Sequence, residues 1–213
     1  MIVALKKDGG LDMSKKEIAL FDFDGTITTG DSFLAFLKYH FGVFSFSCKL
    51  APLMPAVVSY FMGWKTDEEL KTLFCRKFFK NRSVEDMNLS AKSFMQNALA
   101  KMLRPRALEE IERHKSMGST IVIVSASFSL WLKYFAREHG ADLISTEMEE
   151  AGGVFTGELF TKNCKGPEKV RRISEKFDLS DYSAVYAYGD TDGDREMLEQ
   201  ADKDKCFYRF FHD

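Results

Sequence analysis

The chain has 213 residues, 45% hydrophobic and 29% charged, with a formal net charge of −2. That composition excludes a disordered chain and lacks the basic excess of a nucleic-acid binder; it suits one domain, or a core carrying a smaller insertion. Cys48, Cys75, Cys164 and Cys206 form no CxxC pair, and the four histidines show no metal-ligand spacing. Neither a disulfide framework nor a zinc site is expected, and free thiols fit a reducing, cytoplasmic setting.

Residues 1–15 read as an unstructured leader without a secretory signal, and Met13 resembles a natural start just ahead of the fold. Ile18 to Phe21 is an apolar run that ends abruptly in Asp22-Phe23-Asp24-Gly25-Thr26, the pattern of a buried strand stopped by a turn. A helix follows over 33–39, with Asp31 or Ser32 as its N-cap. Residues 41–64 are almost wholly apolar, with Lys49 the only charge and Pro52 and Pro55 inside the run. The run is long enough to cross a bilayer, but the lysine and the prolines favour a buried helical hairpin, with membrane-surface contact as the alternative. Helices are expected over 67–80, 83–103 and 105–117. Residues 31–103 thus hold no strand candidate and read as an all-helical cap. It is inserted into an α/β core made of 16–30 and 104–213.

The core resumes at Ile121-Val122-Ile123-Val124, a β-branched strand closing on Ser125. A helix over 130–139 and a short strand over 141–144 come next, then a hairpin over 147–160 turning at Gly152-Gly153. Pro167 opens a helix reaching Phe177. The strand over 183–188 runs into Gly189-Asp190-Thr191-Asp192-Gly193-Asp194, a helix starts at Arg195, and residues 206–210 suit an edge strand.

Three strands therefore end in polar chemistry: Asp22 with Asp24, Ser125, and Asp190 with Asp194. A parallel sheet brings such ends to one edge, where α/β sheets bind ligands. Two carboxylates as close as Asp22 and Asp24 need a cation, a proton or strong hydrogen bonds to coexist.

The order and spacing of these residues resemble the haloacid dehalogenase superfamily, and within it the phosphoserine-phosphatase-like subfamily IB. Asp22-Phe23-Asp24-Gly25-Thr26 matches the first motif, Ser125 the second, Lys169 the third, and Gly189-Asp190 with Asp194 the fourth. The resemblance covers residues 17–213 and implies a Rossmann-like parallel-sheet core with a helical cap. It implies a Mg²⁺-dependent phosphatase acting on a small phosphorylated metabolite through an aspartyl-phosphate. Asp22 would be the nucleophile and Asp24 the acid and base. Asp22, the Asp24 backbone carbonyl, Asp190 and Asp194 would hold the metal. Gly25, Thr26, Asp31, Ser125, Ala126 and Lys169 would surround the substrate. Lys165 competes with Lys169 for the phosphate, and Asp31 either meets substrate or only caps its helix. Gly193 replaces an asparagine frequent in the branch, a departure from phosphoserine specificity. The apolar run at 41–64 is also similar to that of phosphatidylglycerophosphate phosphatases. Other readings are a lipid-phosphate phosphatase, a phosphotransferase, or a membrane-surface or partner-binding module with a vestigial site.

Overall fold

The computed structural model describes residues 15–212; the expected leader lies almost entirely outside the described residues. Five parallel strands form the central sheet: β1 (Glu17–Phe21), β2 (Thr120–Phe128), β3 (Asp142–Thr146), β6 (Ala184–Gly189) and β7 (Cys206–Tyr208). They lie in the order β3-β2-β1-β6-β7, so the chain winds outward in opposite directions from β1. The resulting switch point, between β1 and β6, is where a crevice opens at the strands' carboxyl ends.

Strand alternation sorts the core into two layers. Ala19, Phe21, Ile121, Ile123 and Tyr188 face one side, with Ala107 and Ile111 of α6 (Pro105–Ser116) and Trp131 and Phe135 of α7 (Ser129–His139). Ile18, Leu20, Val122, Val124, Val185 and Ala187 face the other, against Ile173 of α8 (Pro167–Lys176) and Met197 and Leu198 of α9 (Arg195–Leu198). The sheet is thus covered on both faces, which is why its strands read as continuous apolar runs.

Residues 31–103 add no strand to this sheet among the described residues; they form α1 (Ser32–Phe41), α2 (Val43–Leu50), α3 (Met54–Phe61), α4 (Asp67–Phe78) and α5 (Val84–Asn97). Phe36, Phe74, Phe78, Phe79 and Phe94 are buried there in one cluster with the first sheet layer, so most of the phenylalanine content is core. Two shorter strands, β4 (Met148–Ala151) and β5 (Val154–Leu159), make the expected hairpin, and Gly152 and Gly153 supply the positive φ its turn needs. The hairpin also docks on the helical segment: Asn81 N donates to Phe155 O at 2.8 Å and Val84 N to Gly153 O at 3.0 Å.

Three expectations need correcting. The strand closing on Ser125 continues to Phe128, because a bulge between Ser125 and Phe128 lets β2 keep pairing with β3. The helix over 83–103 stops at Asn97 and gives way to a 3₁₀ turn at Leu99–Lys101. The run at 41–64 is not a buried hairpin. Residues 43–61 form one 19-residue helical stretch in which Phe46 alone is buried, with a 3₁₀ turn at Ala51–Leu53 around its prolines. Pro52 and Pro55 interrupt the hydrogen-bond ladder without turning the chain back.

Candidate active site

Asp22 follows the last residue of β1, and its N–H donates to Tyr188 O of β6 at 2.9 Å. This pairing sets the end of β1 beside Gly189 and Asp190. Gly25 completes the approach with φ +83°, and a Cβ there would lie 2.3 Å from Asp190 Oδ2. Only glycine allows both the backbone conformation and the contact. Thr26 Oγ1 then donates to Asp190 Oδ1 at 3.1 Å.

Lys169 is the cation at the centre. It is only 1% exposed, and its Nζ donates to Asp22 Oδ1 and Asp194 Oδ1, both at 2.6 Å, and to Val124 O at 2.8 Å. Asp194 is held by its second oxygen, which accepts from Asp190 N (3.1 Å), Thr191 N (3.0 Å) and Thr191 Oγ1 (2.9 Å). Asp22, Asp190 and Asp194 are all buried, and one carboxylate oxygen from each lies within 4.8 Å of the others. One ammonium cannot balance three carboxylates. A small divalent cation with oxygen ligands suits the surplus, and these residues fit Mg²⁺. Asp194 already spends both oxygens on Lys169 and the 190–191 loop, so it orients the cluster as much as it could ligate.

The electrostatics follow from burial. Desolvation raises the Asp22 carboxyl to about 7 against the pull of Lys169, with Asp194 and Asp24 adding repulsion. Desolvation would lower Lys169, but Asp22 and Asp194 outweigh it and raise it, keeping the ammonium charged. Desolvation, reinforced by Asp31, raises Asp24 to about 6, while hydrogen bonds from Ser127 and Ser32 oppose the shift.

The Asp24 carboxylate turns away from the acidic cluster. Its Oδ1 accepts from Ser32 N at 2.9 Å, and its Oδ2 accepts from Ser127 Oγ. Ser127 Oγ in turn lies 3.2 Å from Ser32 Oγ, to which Trp131 Nε1 donates at 3.0 Å. The Asp24 side chain is therefore fixed away from the Asp22–Asp190–Asp194 cluster, and a pKa of about 6 suits a carboxyl to proton transfer.

A cleft of about 570 Å³ opens above these groups, lined by Asp22, Asp24, Gly25, Asp31, Ser125, Ala126 and Lys169. Asp31 borders it while capping α1 through Leu34 N at 2.8 Å. Ser125 Oγ accepts from Ser127 N at 3.0 Å. Lys165 does not reach Asp22; it pairs with Asp67 of α4 at 2.9 Å. A Cβ on Gly193 would lie 2.8 Å from the Lys165 side chain, so that lysine occupies the space a larger residue would need.

Four groups escaped the sequence reading. Ser127 and Ser32 converge on Asp24 only because of the β2 bulge and the start of α1. Lys71 comes from α4; its Nζ donates to Ala126 O and Asn163 Oδ1, both at 2.6 Å, and burial lowers its pKa to about 8. His212, at the chain's far end, places Nε2 2.8 Å from Gly25 O. Isolated residues with no local pattern carry no signal in sequence.

Comparison with known proteins matches this geometry to a family. A family model described as haloacid dehalogenase-like hydrolase covers residues 19–199. Protein CicA of Caulobacter vibrioides is 38% identical over 196 residues, which are 91% of this chain and 86% of that protein. The probable phosphatase Rv3661 of Mycobacterium tuberculosis is 28% identical over 200 residues, 90% of this chain and 68% of its own. A protein of unknown function from Bordetella pertussis has a similar solved structure, with TM-score 0.76 and 24% identity over 88% of this chain and 87% of that one. A phosphoserine phosphatase solved as a phospho-aspartyl intermediate analogue shares the fold with TM-score 0.57 and 21% identity, covering 88% and 84%. A Rossmann-like sheet with acidic groups gathered at its switch point, together with these matches, shows that the chain belongs to the haloacid dehalogenase-like hydrolase family.

Proposed function

We propose that the protein is a Mg²⁺-dependent phosphomonoester hydrolase acting through an aspartyl-phosphate on Asp22, with a small phosphorylated metabolite as substrate. The reading rests on one observation: Asp22 lines the cleft as part of the acidic cluster, bonded to Lys169, with Asp24 held nearby. An Asp22 oxygen forms a bond to phosphorus as the ester oxygen leaves, and Asp24 gives that oxygen its proton. Asp24, now a carboxylate, takes a proton from water, whose oxygen displaces Asp22 from phosphorus. Lys169 and Ser125 hold phosphoryl oxygens as negative charge spreads onto them. Asp22, Asp190, the Asp24 carbonyl and Asp194 would hold Mg²⁺, which would neutralise charge on the phosphoryl group and favour ionised Asp22. The mycobacterial relative is a probable phosphatase and one similar solved structure is a phosphoserine phosphatase, which agrees with this chemistry.

EDTA is expected to abolish turnover and added Mg²⁺ to restore it. Mg²⁺ should also raise the Tm of the wild-type protein, measured by differential scanning fluorimetry, and shift Asp190→Asn much less, because binding to the folded state alone stabilises it. Full activity after exhaustive chelation would remove the metal from the account.

A second reading, a substrate with an apolar portion such as a lipid phosphate, is favoured by the cleft's upper wall of Phe33, Leu34, Val57, Phe61, Leu70 and Phe74. Turnover of a panel of phosphorylated metabolites and lipid phosphates separates the two. Either substrate would be an anion passing Lys71. Its ammonium is charged below about 8 and neutral above, so KM should rise as pH increases through that value. Lys71→Met should show a high KM that no longer varies there; an unchanged profile would exclude Lys71 from binding.

A further inference from the structure

The helical stretch Val43–Phe61 is apolar along its length, yet about half of its residues are exposed and Phe46 alone is buried. Phe44 is 84% exposed, Phe61 80% and Trp64, just beyond, 75%. Phe44, Cys48, Ala51, Pro55, Val58 and Met62 are all exposed. They recur at three- and four-residue intervals, the spacing of one helix face. Phe46 is buried on the opposite side, where Leu50, Leu53 and Val57 pack against the aromatic core. The seated face and the solvent face are both apolar, and a continuous apolar stripe about 28 Å long marks an interaction surface.

Charge and topology identify the occupant. Between Asp31 and Asp67 the chain has no acidic residue but carries Lys38, Lys49 and Lys65, in a protein whose net charge is −2; Lys38 Nζ lies 5.7 Å from the Phe46 ring and Lys49 Nζ 5.4 Å from the Phe41 ring, at the seated edge of the stretch. The acids that follow are engaged elsewhere. Asp67 binds Lys165 and Tyr60, Glu68 accepts from Asn163 N, and Glu69 turns back on Thr66. An exposed apolar face on a segment that carries lysines and no acid complements an anionic lipid surface. Two copies paired symmetrically through it would bring together two segments that carry lysines and no acid of their own. A single transmembrane crossing is excluded as well. It would put β1 on one side of the bilayer and its partners β2 and β6 on the other, and these strands share one sheet.

We propose that this stretch is a membrane-docking element, lying along the headgroup layer of an anionic bilayer with its exposed stripe inserted. Val57, Tyr60 and Phe61 of α3 also line the cleft over Asp22, so docking sets the cleft mouth against the lipid. The inference rests on the exposed face and not on the hydrolysis reading, and either can fail alone.

Vesicle co-sedimentation tests it, using phosphatidylcholine vesicles with and without phosphatidylglycerol. Wild-type protein should pellet with the anionic vesicles, bind neutral ones at least tenfold more weakly, and be released by alkaline carbonate. Combining Phe44→Ser, Val58→Ser and Trp64→Ser, none of which lines the cleft, should reduce binding at least tenfold and leave hydrolysis of a soluble phosphomonoester unchanged. Lys38→Gln with Lys49→Gln and Lys65→Gln should remove the preference for anionic lipid, each lysine strengthening binding about fivefold. Protein that stays in the supernatant would overturn the proposal. So would a lipid-independent dimer that the serine variant dissolves, or resistance to carbonate.

Discussion

Asp22→Asn is expected to lower turnover of a soluble phosphomonoester by about four orders of magnitude or more while leaving the fold intact. The amide keeps the shape of the side chain but has no carboxylate to bond phosphorus. The structural cost should be small. Burial already raises the Asp22 carboxyl to about 7, so charge at this position is disfavoured before any metal binds. Lys169 keeps Asp194 and Val124 O as partners. Thermal melts should therefore place the variant within a few degrees of wild type in metal-free buffer. Activity within tenfold of wild type would remove Asp22 from the nucleophile's role.

Lys169→Met should give the largest loss of stability of any single change in the site, about 3–5 kcal/mol by urea denaturation, together with loss of turnover. Methionine has comparable length, so packing is largely kept and charge is what changes. Asp22 and Asp194 would be left facing each other in a buried site with no ammonium between them. Adding Asp194→Asn to Lys169→Met should recover part of that loss, because it removes the carboxylate that depends on Lys169 for its charge; two additive losses would contradict the charge account. The same comparison separates Lys169 from Lys165, whose half-exposed pair with Asp67 is worth at most about 1 kcal/mol.

The floor of the cleft was legible in sequence for a physical reason. Asp22, Ser125, Asp190 and Asp194 each follow an apolar run, and a parallel sheet has only one edge on which such ends can meet. The cap was less legible. In residues 41–64 nearly every side chain is apolar, so periodicity shows no contrast between a seated face and an exposed one. Burial was the natural expectation, yet the exposed stripe carries no charge to announce itself. Ser127 was hidden differently: its approach to Asp24 depends on a two-residue slip in the pairing of β2 with β3, which no local pattern encodes. Lys71 and His212 reach the site from a helix face and a chain end, where one polar residue looks like any other solvated side chain.

The covalent step on Asp22 is the central claim, and acid-quench trapping tests it most directly. Enzyme mixed with excess phosphomonoester and Mg²⁺ is quenched in acid within the first turnover, digested and mapped by mass spectrometry. Phosphate should be found on the peptide carrying Asp22, as an acyl phosphate labile to hydroxylamine, and be absent from Asp22→Asn. A wild-type enzyme that releases phosphate while that peptide stays unmodified at every quench time, or one whose label sits on another residue, would contradict the account.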